Sequence, residues 1–268
     1  MTTLASSYGI LLDQLRRQSP LVQCITNYVA MNYAANVLLA AGASPAMVHA
    51  PEEAGEFAHL AGAVTVNIGT LSSPWLEGMR AAATVAHESG KPWVLDPVAH
   101  FATAFRRKAV EELLALKPTV IRGNASEIMA LAGDASSGRG VDSGDSVERA
   151  EASAMALAQR THAVIAVTGV VDFVTDGHDA VRIAGGSALM PKVTAMGCAL
   201  TGLVGAFLAL APTSPLAATA SALACFGVAG MQAEQQASGP GSFAWHFIDA
   251  LAALDGDTLQ AAAQVTPA

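Results

Sequence analysis

The sequence predicts an α/β fold, a three-layer αβα arrangement around a mostly parallel central sheet, and three observations carry that expectation. Runs such as Val64-Thr65-Val66-Asn67-Ile68 and Ala163-Val164-Ile165-Ala166-Val167 are rich in Val and Ile without alternating apolar and polar residues, the mark of strands covered on both faces. Segments of helical period separate such runs, so helix and strand alternate along the chain. Of the 268 residues, 52% are hydrophobic and only 13% charged, which excludes a disordered chain or a solvated coiled coil. We expect one domain over 1–268.

An apolar helical stretch runs from about Asn27 to Ala41 and stops at Gly42. Short apolar runs follow at Ala46-Met47-Val48 and Val64 to Ile68. Helical period returns from Ser73 to Ser89, closed by Gly90, ahead of a strand at Trp93-Val94-Leu95 that ends on Asp96-Pro97. A helix from Phe105 to Leu116 precedes the strand Val120-Ile121. Asn124 and Glu127 then stand at the N-cap and N3 positions of a capping box for a helix reaching Leu131. Beyond the polar stretch Ser136 to Asp145, which reads as a mobile cover or as a plain linker, a helix spans about Val147 to Arg160. The next strand ends at Thr168-Gly169. Phe173-Val174-Thr175 and Ala180-Val181-Arg182-Ile183 flank Asp176-Gly177 and read as a hairpin.

The helix Ala199 to Leu210 lies within an uncharged run of 41 positions, Val193 to Ala233. That length matches two membrane spans. Thr, Ser and Pro dilute it, however, and no interfacial Trp, Tyr or basic cluster flanks it. We therefore expect two helices buried in a core or a subunit interface, and no membrane. Near the end, Phe243 and Trp245 follow a Gly-Pro-Gly turn and read as packing residues of a terminal helix.

Lys and Arg number 14 against 22 Asp and Glu, a net charge of −8, so no basic field collects nucleic acid. Three widely spaced cysteines, Cys24, Cys198 and Cys225, argue against a disulfide framework and for a reducing compartment. With no long apolar segment among the opening residues, the expected location is cytoplasmic. Phosphate-loop, zinc-hydrolase, serine-hydrolase and C-x-x-C signatures are absent. The glycines at 138, 140 and 144 have the wrong spacing for a dinucleotide fingerprint. The seven histidines are scattered and read as surface or packing residues.

Chemistry is expected beyond the carboxyl ends of the strands. There the sequence places Asn67-Ile68-Gly69-Thr70, Asp96-Pro97, Arg122-Gly123-Asn124 and Thr168-Gly169. Directly before an uncharged helix, Thr194-Ala195-Met196-Gly197-Cys198 offers free backbone N–H groups and the positive end of the macrodipole, a pocket for an anion. Cys198 in that first turn reads either as a thiol whose ionisation the dipole favours or as a small packing residue. Glu127 either completes its capping box or joins Asn124 in orienting a hydrated cation beside a phosphate-binding Arg122. Asp96 reads as a strand-end acceptor or as a second carboxylate near that cation.

Together, Gln23-Cys24-Ile25-Thr26-Asn27-Tyr28-Val29, Gly42-Ala43-Ser44-Pro45-Ala46-Met47, Asn67-Ile68-Gly69-Thr70-Leu71, Val94-Leu95-Asp96-Pro97-Val98, Arg122 to Ile128, Val167-Thr168-Gly169, Gly197 to Thr201 and Gly239 to Phe243 resemble the hydroxyethylthiazole kinase family in order and spacing over nearly the whole chain. The resemblance implies a ribokinase-like fold and phosphorylation of the hydroxyl of the thiazole moiety of thiamine. It also implies ATP as co-substrate, magnesium (Mg2+), and a homotrimer with active sites at subunit interfaces. By position it places thiazole against Asn27, Met47 and Ala195, ATP by Arg122, Thr168 and Gly197, the metal by Asp96 and Glu127, and Cys198 at the catalytic position. Two departures stand out. Ala195 replaces the family's usual glycine and keeps its N–H available only with negative φ, and Ala99-His100-Phe101-Ala102-Thr103 replaces a glycine-rich turn. The alternatives are another ribokinase-like vitamin-precursor kinase, an ATP-dependent hydrate dehydratase, or a non-catalytic nucleotide-binding sensor.

Overall fold

The computed structural model of the chain describes residues 8–134 and 146–268. The stretch Ser136 to Asp145, read above as cover or linker, lies outside the described residues. Among the described residues, nine strands form one sheet in the order β2-β1-β3-β4-β5-β6-β7-β8-β9. They are β1 (Leu21–Ile25), β2 (Ser44–Ala46), β3 (Ala63–Asn67), β4 (Trp93–Asp96), β5 (Val120–Asn124), β6 (Val164–Thr168), β7 (Val171–Thr175), β8 (Ala180–Ala184) and β9 (Gln264–Pro267). Pairing is parallel from β2 through β6 and antiparallel from β6 to β9.

The missing alternation in the strands now has its cause. Val94, Val120, Val164 and Ala166 pack into one core, while Leu95, Ile121, Ile165 and Val167 point into the other. The first core is closed by α1 (Tyr8–Gln18), α2 (Met31–Ala41), α8 (Met196–Leu210), α9 (Pro215–Glu234), α10 (Pro240–Ala253) and α11 (Gly256–Ala262). On the opposite face lie α3 (Pro51–Leu60), α4 (Ser73–Glu88), α5 (Ala104–Leu114), α6 (Ala125–Ala132) and α7 (Val147–Thr161). The uncharged run forms α8 and α9. Of the α9 window apolar enough to cross a membrane, 78% is buried inside the fold, where such a helix serves as core.

Several local expectations need correction. Asn27 lies in a turn rather than at the start of α2, because its side-chain oxygen accepts the N–H groups of Val29 and Ala30, both at 3.1 Å. β2 ends at Ala46, so Met47 and Val48 follow the strand. Trp245 is 73% exposed while Phe243 is fully buried, so only Phe243 packs as expected. The sequence reading did not resolve α1, β1, α3 or β9.

Candidate active site

Parallel pairing aligns the polar strand ends. Asn67 is in register with Asp96 across β3 and β4, and Asn124 with Thr168 across β5 and β6. α8 crosses this row closely, since at Gly205 a β-carbon would stand 2.5 Å from the Thr65 Cγ2 on β3. That approach brings the first turn of α8, with Gly197 and Cys198, onto the strand ends.

Side chains from two segments converge on the Cys198 sulfur. The Asn27 and Asn67 Nδ2 groups donate to it at 3.2 and 3.3 Å, and Asn27 also donates to the Asn67 Oδ1 at 2.8 Å. Asn67 continues the chain to the Asp96 Oδ2 at 2.7 Å, which also accepts from the Thr201 hydroxyl, one turn along α8, at 2.8 Å. Burial, and after it the Asp96 charge, push the Cys198 thiol up to about 11. Of the two readings of Cys198, this speaks for the un-ionised one. Lost solvation beside a carboxylate favours the protonated thiol over the thiolate.

Arg122 covers the start of α8. Its Nη2 donates to the Thr168 hydroxyl at 2.5 Å, and its Nη1 lies 3.5 Å from the Asp96 Oδ2. A β-carbon on Gly197 would stand 2.7 Å from Nη1, so glycine there lets the guanidinium rest on the helix backbone. Two positive features thus face one space, and the buried Arg122 Nε has no hydrogen-bond partner among the described residues. An anion at the start of α8 would meet both the helix N–H groups and the guanidinium.

Glu127 does complete its capping box with Asn124. Its two carboxylate oxygens accept the N–H groups of Ala99 and Asn124, each at 2.9 Å, joining the turn after β4 to the end of β5. Burial raises its pKa, and the Asp96 charge raises it further. Asp96 is itself raised by burial, against the lowering pull of Arg122, Thr201 and Asn67. Its Oδ1 is buried without a partner among the described residues. That orphaned oxygen beside a second carboxylate fits a hard cation. No group of three or more His, Cys, Asp or Glu that could hold a metal occurs among the described residues, so this donor set suits a divalent ion still carrying water or phosphate ligands.

The model of the hydroxyethylthiazole kinase family matches residues 12–257. The chain belongs to the hydroxyethylthiazole kinase family. It is 71% identical to the hydroxyethylthiazole kinase of Rhizobium etli over 256 residues, 96% of this chain and 99% of that one. The solved hydroxyethylthiazole kinase of Pyrococcus horikoshii OT3 superposes with a TM-score of 0.90 at 41% identity, over 97% of this chain and 98% of that one. A Staphylococcus aureus pyridoxal kinase in complex with AMP-PCP and pyridoxal matches at a TM-score of 0.59 and 16% identity, over 79% of this chain and 88% of that one. This more distant likeness is one of fold, and the architecture is ribokinase-like.

In this kinase-family chain, Met47 is partly buried against the α8 side of the sheet. Its carbonyl oxygen lies 3.1 Å from the His49 Nδ1, and the Trp75 ring packs between His49 and Tyr28 at centroid distances of 4.6 and 4.7 Å. Ala195, the residue before α8, has φ +69°. The condition of negative φ is therefore not met, since the turn into α8 holds Ala195 in the left-handed conformation that glycine adopts without strain. The structure brings Asn27, Asp96 and Arg122 together around the start of α8, with Thr168 joined through Arg122. Glu127 stands behind them. Of Asn67 and Thr201, which the sequence reading assigned no site role, the first links Asp96 to Cys198 and the second links it to the Gly197 carbonyl. Their polar character at a strand end and one helical turn past Cys198 was the available signal.

Proposed function

We infer that this chain transfers the terminal phosphoryl group of ATP to the hydroxyl of 4-methyl-5-(2-hydroxyethyl)thiazole, giving the thiazole phosphate used in thiamine biosynthesis. The observation that carries this reading is the Arg122 guanidinium resting on Gly197 at an uncapped helix start, an anion site within a family of thiazole kinases. Thr168 orients Arg122, and the N–H groups of Gly197 and Cys198 complete the cradle for the phosphates. The thiazole lies against Asn27, Met47 and Ala195, with its hydroxyl directed at Cys198.

Because both amide groups donate to the Cys198 sulfur, its own S–H is directed at the substrate alcohol and orients it. The alcohol oxygen forms its bond to the γ-phosphorus as the bond from phosphorus to the β,γ-bridging oxygen breaks. The alcohol proton leaves late, to an oxygen of the transferred group, since a loose transition state asks more of positioning and charge neutralisation than of a strong base. Asp96, through its free Oδ1, and Glu127 would hold Mg2+, which when bound neutralises phosphate charge.

The protein works in the cytoplasm as a homotrimer with sites at subunit interfaces. The exposure of Tyr28 (68%) and Val29 (59%), beside Asn27, supports that assembly. Incubation with ATP, Mg2+ and hydroxyethylthiazole tests the activity. ADP and phosphorylated thiazole are expected in equal amounts. ADP with intact thiazole, or unchanged ATP, overturns it.

A further inference from the structure

Arg106, in the first turn of α5, is the residue whose bonds are least explained by its own helix. A cation at this end of a helix opposes the macrodipole, and partial burial adds to the cost by lowering its pKa. Yet its guanidinium donates to three backbone carbonyls. Nη1 reaches the Ile68 and Val98 oxygens at 2.9 and 2.8 Å, and Nη2 reaches the Gly69 oxygen at 2.6 Å. Ile68 and Gly69 follow β3 directly behind Asn67, and Val98 follows β4 two residues after Asp96.

Both loops feed the site at their next bond. The Gly69 N–H donates to the Asn67 Oδ1 at 2.9 Å, and the Ala99 N–H donates to the Glu127 Oε1 at 2.9 Å. A β-carbon on Gly69 would stand 2.7 Å from the Asn27 Nδ2, so this loop is also pressed against the second amide that holds Cys198. One side chain therefore sets the spacing between the segment that orients Asn67 and the segment that orients Glu127. A planar fork with fixed N–H directions can do this, whereas an ammonium, a single point of charge, cannot span the same three oxygens.

We propose that Arg106 is a positioning residue for phosphoryl transfer, clamping the loops after β3 and β4 so that Asn67 meets both Asp96 and Cys198 in one arrangement. The proposal rests on the reading of Asn67, Asp96 and Cys198 as the reacting site. Arg106 acts through Asn67 and touches no substrate.

The test is a kinetic cycle of Arg106→Lys, Asn67→Ala and the double variant, with kcat and KM for both substrates. Arg106→Lys is expected to lower kcat about tenfold with KM for ATP unchanged, as small misplacements do. Adding it to Asn67→Ala is expected to cost less than about twofold more, because the two share one path. Wild-type kcat in Arg106→Lys, or losses that multiply in the double variant, overturns the clamp. Should Arg106→Lys fail to fold, Arg106→Ala with added guanidinium ion replaces it. Partial recovery of kcat supports the clamp, and no recovery contradicts it. Asp96→Asn, measured alongside, separates the two ideas. Unchanged kcat there sinks the reading of the site, whereas a large loss there with an indifferent Arg106 sinks the clamp alone.

Discussion

The guanidinium of Arg122 rests on the backbone of Gly197, where a β-carbon would stand 2.7 Å from Nη1 and 2.9 Å from Nη2. No other side chain leaves room for that contact. Gly197→Ala is therefore expected to displace Arg122 and to lower kcat/KM for ATP by about 10- to 100-fold. Steady-state kinetics check this, and an unchanged kcat/KM would separate Arg122 from the phosphates.

The half-buried Cys198 thiol, pushed up to about 11 by loss of solvation and by Asp96, is expected to carry little thiolate at neutral pH. Its alkylation by iodoacetamide, followed by peptide mass analysis, is expected to rise about tenfold per pH unit between 7 and 9. A plateau below pH 8 would show an ionised thiol and contradict the orienting S–H. Cys198→Ser, which keeps a donor, is expected to retain more activity than Cys198→Ala.

Ala195 sits at φ +69°, where its β-carbon crowds the backbone. Ala195→Gly is expected to stabilise the fold by about 1 kcal/mol through relief of that strain. Urea unfolding measures it, and a lower midpoint for the variant would contradict the strained turn.

His100 is 5% exposed, and burial lowers its pKa to about 4, with the nearby Arg107 charge acting the same way. An unfolded histidine titrates near 6.5, so between about 6.5 and 4 the unfolded chain binds a proton that the folded chain refuses. This group therefore removes stability as pH falls through that window. The melting temperature of His100→Gln, relative to the native chain, is expected to improve between about pH 7 and pH 4.5. A constant difference would mean that His100 titrates normally.

Local patterns were readable before the fold. The capping box of Asn124 and Glu127, the hairpin about Asp176-Gly177 and the polar strand ends each depend on a few neighbouring residues. What escaped depends on distant partners. Thr201 reaches Asp96 across 105 positions, and the pKa of Cys198 follows from a carboxylate brought to it by sheet register and by the close passage of α8. Arg106 has no signal of its own in the sequence, because the carbonyls it binds leave no trace in side-chain identity. The left-handed Ala195 left no signal because alanine rarely adopts that conformation.

The most direct measurement is the position of the terminal phosphate in a crystal of the protein with a non-hydrolysable ATP analogue and Mg2+. The account predicts phosphate oxygens at hydrogen-bond distance, about 3 Å, from the N–H groups of Gly197 and Cys198 and from the Arg122 guanidinium. A terminal phosphate held elsewhere, with Arg122 still turned to Thr168 and Asp96 alone, would contradict it.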